Sequence, residues 1–288
     1  MLKTCRLLAT GLLVLPSQKI HSDITPALEQ KHLEFVVWNV GQGLWTTLVN
    51  DGTCYHFDTG GEHAPWRAIL KLCRHRQNIL NYSHWDWDHI RFASEASRRF
   101  PKICLLTPPG GEAPAKRKEF FASIKPCETV SNDFLEIPSE PPLDRLRKPT
   151  RKTAPRSAPR SAPRSANEVS RVFVLEKFIL APGDSVKKAE KFWAPRLPLA
   201  KLIHILVLGH HGSRTSTSSE LLAHLPALNA AIVSARKKKY GHPHAEVIAR
   251  LKNKKIPILL TEEWGSLRYQ FIQKSRPPAS NAARVKKP

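Results

Sequence analysis

The feature that most constrains this chain is a succession of short apolar runs with turn residues between them. Residues 34–40, 45–50 and 53–58 are rich in β-branched and aromatic side chains, and Gly41-Gln42-Gly43 and Asp51-Gly52 separate them, which predicts a meander of strands. A helix is predicted over 65–76, and a strand over 79–83 runs straight into a polar cluster. Further on, strands are expected at 172–176 and 178–180, a helix from near Asp184, and an apolar strand over 202–208 that leads to His210. A strand at 230–234, a helix at 245–252 and strands at 258–261 and 266–271 complete the pattern. Strands outnumber long helices and helices intervene at intervals, so the expected class is α/β, with two sheets and helices outside them rather than one doubly wound parallel sheet. The polar clusters fall at strand ends, where loops place chemistry on a rigid scaffold.

Composition adds a partner and two interruptions. Of the 288 residues 46 are Lys or Arg and 24 are Asp or Glu, a formal net charge of +22 that asks for an acidic partner. With 41% hydrophobic residues the chain can bury a sizeable core, so some of its 24 prolines are expected to sit in a separate tract. They do so at 141–166, where Ala-Pro-Arg-Ser recurs at 154, 158 and 162, an extended solvated insertion in an ordered domain spanning 34–274. Residues 275–288 read as a basic tail. Residues 1–33 form an N-terminal segment in which Lys3 and Arg6 precede the apolar run 7–15, a weak signal peptide. The protein is expected to be periplasmic or secreted if that signal is used and cytoplasmic otherwise. The run is far short of the ~20 residues a spanning helix needs, so no membrane-spanning segment is expected. The five cysteines, at 5, 54, 73, 104 and 127, show no C-x-x-C pair and no regular spacing, so neither a thiolate zinc site nor a disulfide framework is indicated.

Chemistry concentrates in His84-Trp85-Asp86-Trp87-Asp88-His89, four potential metal ligands in six residues after a strand. Two imidazoles and two carboxylates suit divalent ions such as Zn or Mn. A solvated acidic loop would account for Asp86 and Asp88 but not for two histidines and two tryptophans beside them. Asp184, after a later strand, reads either as a carboxylate facing the ions or as a helix N-cap. His210-His211-Gly212-Ser213 ends another strand and offers a further imidazole.

Taken in order, Val40-Gly41-Gln42-Gly43, Phe57-Asp58-Thr59-Gly60, Ser83 to His89, Asn167-x-x-Ser170, Gly183-Asp184, His210 to Ser213 and Tyr240-Gly241-His242-Pro243-His244 resemble the metallo-β-lactamase-fold domain of ComEC-type DNA-uptake proteins and of related stand-alone hydrolases. The resemblance covers roughly residues 34–271 apart from the insertion. It implies a four-layer αββα sandwich and two divalent metal ions, Zn or Mn. By matching position it implies His84 and Asp86 on one ion, Asp88 and His89 on the other, Asp184 bridging, and His210 completing a shell with His211 as the substitute. It further implies that Asp58 orients a ligand by hydrogen bonding from behind, and that Asp88 and His242 take part in catalysis, His242 by approaching the substrate or leaving group. His242 also reads as a plain turn histidine before Pro243. Leu44 stands where the family has Asp after Gly-Gln-Gly, Pro182 precedes Gly-Asp where a small or hydroxyl residue is usual, and Ile90-Arg91 replace an aliphatic residue and a glycine.

The implied chemistry is hydrolysis by a hydroxide activated between two metals. Basic surface with such a site favours a phosphodiester, and the expected substrate is nucleic acid, DNA first. The run Arg236 to Lys239 reads equally as a guide for a polyanion or as a solvated loop, and Trp85 and Trp87 as base-stacking groups or as packing. Another ester or cell-wall phosphodiester, or a non-catalytic nucleic-acid-binding module, is the alternative. A competence role would call for a membrane-channel partner, since the sequence holds no channel of its own.

Overall fold

The computed structural model describes residues 3–4, 32–128, 133–137 and 165–272. Strands β1 (Lys3–Thr4), β2 (His32–Val37), β3 (Thr46–Asn50), β4 (Thr53–Phe57), β5 (Gln77–Asn81) and β6 (Ile103–Thr107) join the last strand, β13 (Leu267–Ile272), in a sheet of order β1-β13-β2-β3-β4-β5-β6. Strands β7 (Phe134–Ile137), β8 (Val172–Leu175), β9 (Ile179–Ala181), β10 (Ile205–Val207), β11 (Ala230–Val233) and β12 (Ile258–Leu260) form the second, of order β12-β11-β10-β9-β8-β7. Antiparallel pairing carries the meander from β13 through β2 and β3 to β4, and β4, β5 and β6 are then parallel. In the second sheet β9 to β12 run parallel and β7, β8 and β9 antiparallel.

Period-two alternation sorts the side chains into layers. In the first sheet Phe35, Val37, Leu48, Tyr55 and Phe57 point inward and meet Phe173, Leu175, Ile179, Ile205, Val207 and Ile232 of the second, forming the core between the sheets. Val36, Val49 and Cys54 face the other way, onto the helix Trp66–Cys73 and the helix Ala93–Arg99. On the far side Val172, Val174, Leu180, Leu206 and Val233 pack against Trp193, Leu221, Val247 and Leu251 of three more helices, Lys187–Trp193, Ser219–His224 and Ala245–Asn253. Helix, sheet, sheet and helix make the four-layer αββα sandwich expected from the sequence.

The cysteines correct the sequence reading. Cys54 is bonded to Cys73 and Cys104 to Cys127. Cys54 lies on the outward face of β4, where the end of the helix Trp66–Cys73 packs. After the helix Ala115–Ser123 the chain returns to β6, its Cys127 N–H donating to the Leu105 carbonyl. Sequence separations of 19 and 23 carry no signature; the tertiary fold makes the pairs. Residues 138–164 and 273–288, which contain nearly all of the expected insertion and tail, and the apolar run 7–15 lie outside the described residues, as does Cys5. Among the described residues no helix is long and apolar enough to cross a membrane.

Candidate metal centre

Five strands end at one rim of the sandwich and deliver the polar residues there. Asp58 follows β4, Ser83 and His84 follow β5, Asp184 follows β9, His210 and His211 follow β10, and Ser234 follows β11. The loop from Asp86 to His89 is fixed by backbone contacts. The Leu44 N–H donates to the Asp88 carbonyl, and Thr59 N–H to that of His89. Gly60 packs so closely that a Cβ there would sit 2.1 Å from the Asp88 carbonyl carbon, so no larger residue fits. Leu44 buries its side chain in the core between the sheets. A carboxylate at 44 is therefore not what holds the loop, which answers the departure seen in the sequence.

Asp58 is buried, and its two oxygens accept from Ser83 N–H and Ser83 Oγ–H, each at 2.8 Å. His89 Nδ1–H donates to Asp58 Oδ2 at 2.7 Å, which turns His89 Nε2 toward Asp184 Oδ1, 3.0 Å away, and His211 Nε2, 3.3 Å away. His84 Nδ1 is held by Ser83 Oγ at 2.9 Å, with Ser170 Oγ at 3.4 Å, and Ser170 Oγ also accepts the Asp184 N–H. Its Nε2 thereby faces Asp86 Oδ2 at 3.4 Å and Asp184 Oδ2 at 3.8 Å. His211 Nδ1–H donates to the Ser234 carbonyl, leaving Nε2 3.1 Å from Asp88 Oδ2. Two groups of converging donor atoms result, His84-His89-Asp184 and Asp88-His89-His211.

The two neighbouring histidines part company. Both adopt positive φ, 49° and 53°, but His211 is buried within the cluster whereas the side chain of His210 is 26% exposed at its edge, Nε2 3.8 Å from Asp184 Oδ2. Asp86 is half exposed and outside both donor groups. His242 stands on the approach, its Nδ1 3.3 Å from Gln42 Nε2 and its ring 6.2 Å from that of His210. The sequence reading ranks His211 behind His210, includes Ser83 and Ser170 in its motifs without a role, and misses Ser234, whose one signal is that it follows a strand at the same rim.

Electrostatics match a cation site. Burial by itself raises the Asp184 carboxyl, yet the imidazoles of His89 and His211 overcome it and hold it well below the usual range. Burial likewise pushes His89 down, and Asp184 and Asp58 win, holding it well above the usual imidazole value. Asp88, also pushed up by burial, is held down to about 2 by His211 and His89. Clustered carboxylates of this kind need positive charge, whether from protons on the rings or from metal cations. His84 Nε2 is buried with no hydrogen-bond partner, a costly state for a buried polar atom unless another ligand completes it, and buried Asp184 Oδ1 meets only the ring nitrogens of His89 and His211. Nitrogen and oxygen donors with open lone pairs fit divalent metal.

Around the rim, Glu62 accepts from Lys239 at 2.8 Å, Arg236 at 3.1 Å and Tyr240 Oη at 3.2 Å, and also from the Gln42 N–H. Against the upward push of burial these partners hold Glu62 down to about 2. Two of the four cations in the basic run are thus engaged with an acid. Trp85 is buried, its indole N–H donating to the Gly111 carbonyl, and is packing rather than an entrance; Trp87 is 43% exposed.

Comparison with solved structures agrees with the layers. The metallo-beta-lactamase fold protein YhfI of Bacillus subtilis superposes with a TM-score of 0.52 at 8% identity, covering 83% of this chain and 100% of that one. The chain has the metallo-β-lactamase fold. Among curated proteins it is similar to Recombination protein 2 of Haemophilus influenzae, 29% identical over 249 residues, 82% of this chain and 28% of that protein. Competence protein ComA of Neisseria gonorrhoeae is 26% identical over 247 residues, 84% of this chain and 33% of that one. ComE operon protein 3 of Bacillus subtilis is 33% identical over 89 residues, 31% of this chain and 11% of that one. The chain thus spans a third or less of the length of these relatives. No protein-family model matches it. Among metallo-β-lactamase-fold proteins it resembles the competence group, as the motifs imply.

Proposed function

We propose that this metallo-β-lactamase-fold protein is a metal-dependent phosphodiester hydrolase acting on nucleic acid, with DNA as substrate. The observation that carries this reading is the convergence of His84, His89, His211, Asp88 and Asp184 on buried ring nitrogens and carboxylate oxygens that lack hydrogen-bond partners or meet only one another. These residues, with Asp86 and His210 at the margin, would hold Zn or Mn, and such ions polarise a phosphoryl oxygen and activate water. Asp184, facing all four imidazoles of the cluster, joins the donors of one sheet to those of the other. Asp58 fixes the ring of His89 so that its Nε2 points inward. His242 lies half buried at the mouth, where burial and the nearby His211 lower it to about 4, so near neutral pH it is an uncharged imidazole able to accept a proton or donate a hydrogen bond to substrate. A net charge of +22 favours a polyanion, and the similarity to competence and recombination proteins supports DNA over other diesters. The two disulfides support maturation in an oxidising compartment, and with it export and use of the N-terminal signal.

The test is incubation of the protein with Mn or Zn and single- or double-stranded DNA, alongside elemental analysis. Wild type is expected to bind metal and cut; Asp184→Ala is expected to lose both. A variant that retains wild-type cleavage overturns the site.

A further inference from the structure

A second surface lies immediately beside this cluster. The helical turn Trp87–Ile90 has two faces: Asp88 and His89 point into the donor groups, while Trp87 and Ile90, followed by Arg91, line a groove of about 340 Å³. Residues three and four apart share one side of a helix, so the chain that presents ligands inward must present 87, 90 and 91 together outward. The opposite wall is the helix Ala115–Ser123, whose Lys116, Arg117 and Phe120 complete the groove.

Its chemistry is selective. No acidic side chain lines it. Trp87 is 43% exposed, a large apolar surface left in water, where Trp85 is 7% exposed. Lys116 and Arg117 are exposed, Arg117 anchored by donating to the Trp85 carbonyl at 3.3 Å. Arg91, one of the departures from the family pattern, stands with its guanidinium 5.6 Å from the Phe92 ring centre. An exposed indole among three cations, in a groove with no anion, matches an anionic chain that carries flat rings. Single-stranded nucleic acid offers both, whereas in a duplex the base faces are covered by their neighbours.

We infer that this groove seats single-stranded nucleic acid beside the metal cluster, one base stacking on Trp87 and the flanking phosphates meeting Arg91, Lys116 and Arg117. It rests on the reading of the cluster as a nucleic-acid hydrolase and names the strand form that it takes.

The experiment measures binding of a fluorescein-labelled short oligodeoxynucleotide, single-stranded or annealed, to the whole protein by anisotropy at several salt concentrations. Trp87→Ala is expected to weaken the single strand by about 10-fold, the loss of one base stack, with Trp87→Phe recovering most of it. Arg91→Ala and Lys116→Ala are each expected to flatten the salt dependence by about 0.7 in log–log slope. The annealed duplex is expected to be indifferent to Trp87→Ala. Equal affinity of wild type and Trp87→Ala for the single strand, or no binding by wild type, overturns the groove. If Trp87→Ala does not fold, Trp87→Phe with the two cation variants decides the matter by the same readouts. Hydrolysis of bis-p-nitrophenyl phosphate by the wild type with Mn or Zn is scored apart: turnover of the diester with Trp87-indifferent binding sinks the groove alone, and Trp87-dependent binding without turnover sinks the hydrolase alone.

Discussion

The two sheets of the sandwich are stabilised by different chemistry. Outside the first sheet the chain buries a polar network: Trp38 Nε1–H donates to Thr47 Oγ1, Trp45 Nε1–H donates to His56 Nδ1, and His56 Nε2–H reaches Asn78 Oδ1. Both disulfides start from strands of the first sheet, Cys54–Cys73 on this outer face and Cys104–Cys127 against the core between the sheets. Outside the second sheet lies a core of aliphatic residues around Trp193, and residues 133–272 contain no cysteine. A network of hydrogen bonds is directional and intolerant of sliding, and a disulfide limits the unfolded chain; an aliphatic layer gains mostly by area. The difference teaches that the stiffer half supplies the ligand loop from His84 to His89, while the half held by apolar packing supplies Asp184 and His211.

The largest effect is expected from opening the aliphatic side. Trp193 is fully buried and its indole N–H donates to Ser185 Oγ at 2.8 Å, next to Asp184. Trp193→Ala should cost about 3–5 kcal/mol in urea unfolding and lower metal affinity along with stability. On the other side, replacing Cys54 and Cys73 together by Ser should cost about 3 kcal/mol for a loop of 19 residues, measured the same way. A comparable loss from both changes is expected in stability, but only the first should disturb the metal; equal disturbance would end the distinction.

Acid should pick out the first sheet. Burial holds His56 at about 4, below its ordinary 6.5, with the Asn78 hydrogen bond pulling partly back. Between those values the unfolded chain takes up a proton that the folded chain refuses, so this contribution is complete above pH 6.5 and is lost as pH falls toward 4. The loss is about 3 kcal/mol. Hydrogen exchange should show β3, β4 and β5 losing protection on acidification before β10 and β11; the reverse order would contradict the assignment. The smallest effect is expected at the joint between the halves. Asp58→Asn keeps the shape but weakens the hold on His89 Nδ1–H, and metal affinity should fall by about 10–100-fold with little change in fold.

How much of this was readable in the amino-acid sequence depends on whether the signal was local. Period-two runs such as 46–50 and 53–57 state their own geometry, and the cluster from His84 to His89 is dense enough to be seen in a linear string. The stretch 93–137 carries no such local signal, because β6 and β7 are short and the helix Ala115–Ser123 has its charges in one run, 116–119, rather than spaced to leave an apolar face. Cysteine pairing and the choice between His210 and His211 are tertiary facts. Two adjacent histidines in left-handed backbone look identical in sequence, and only the Ser234 carbonyl beyond β11 turns one of them inward.

Asp184 touches donors from both sheets, and this has a thermodynamic consequence. An ion that binds only the assembled rim adds RT ln(1 + [ion]/Kd) to the free energy of unfolding, about 2.7 kcal/mol when the free ion is at 100 times Kd. Melting temperature should then gauge free metal, falling when chelator is added to the buffer.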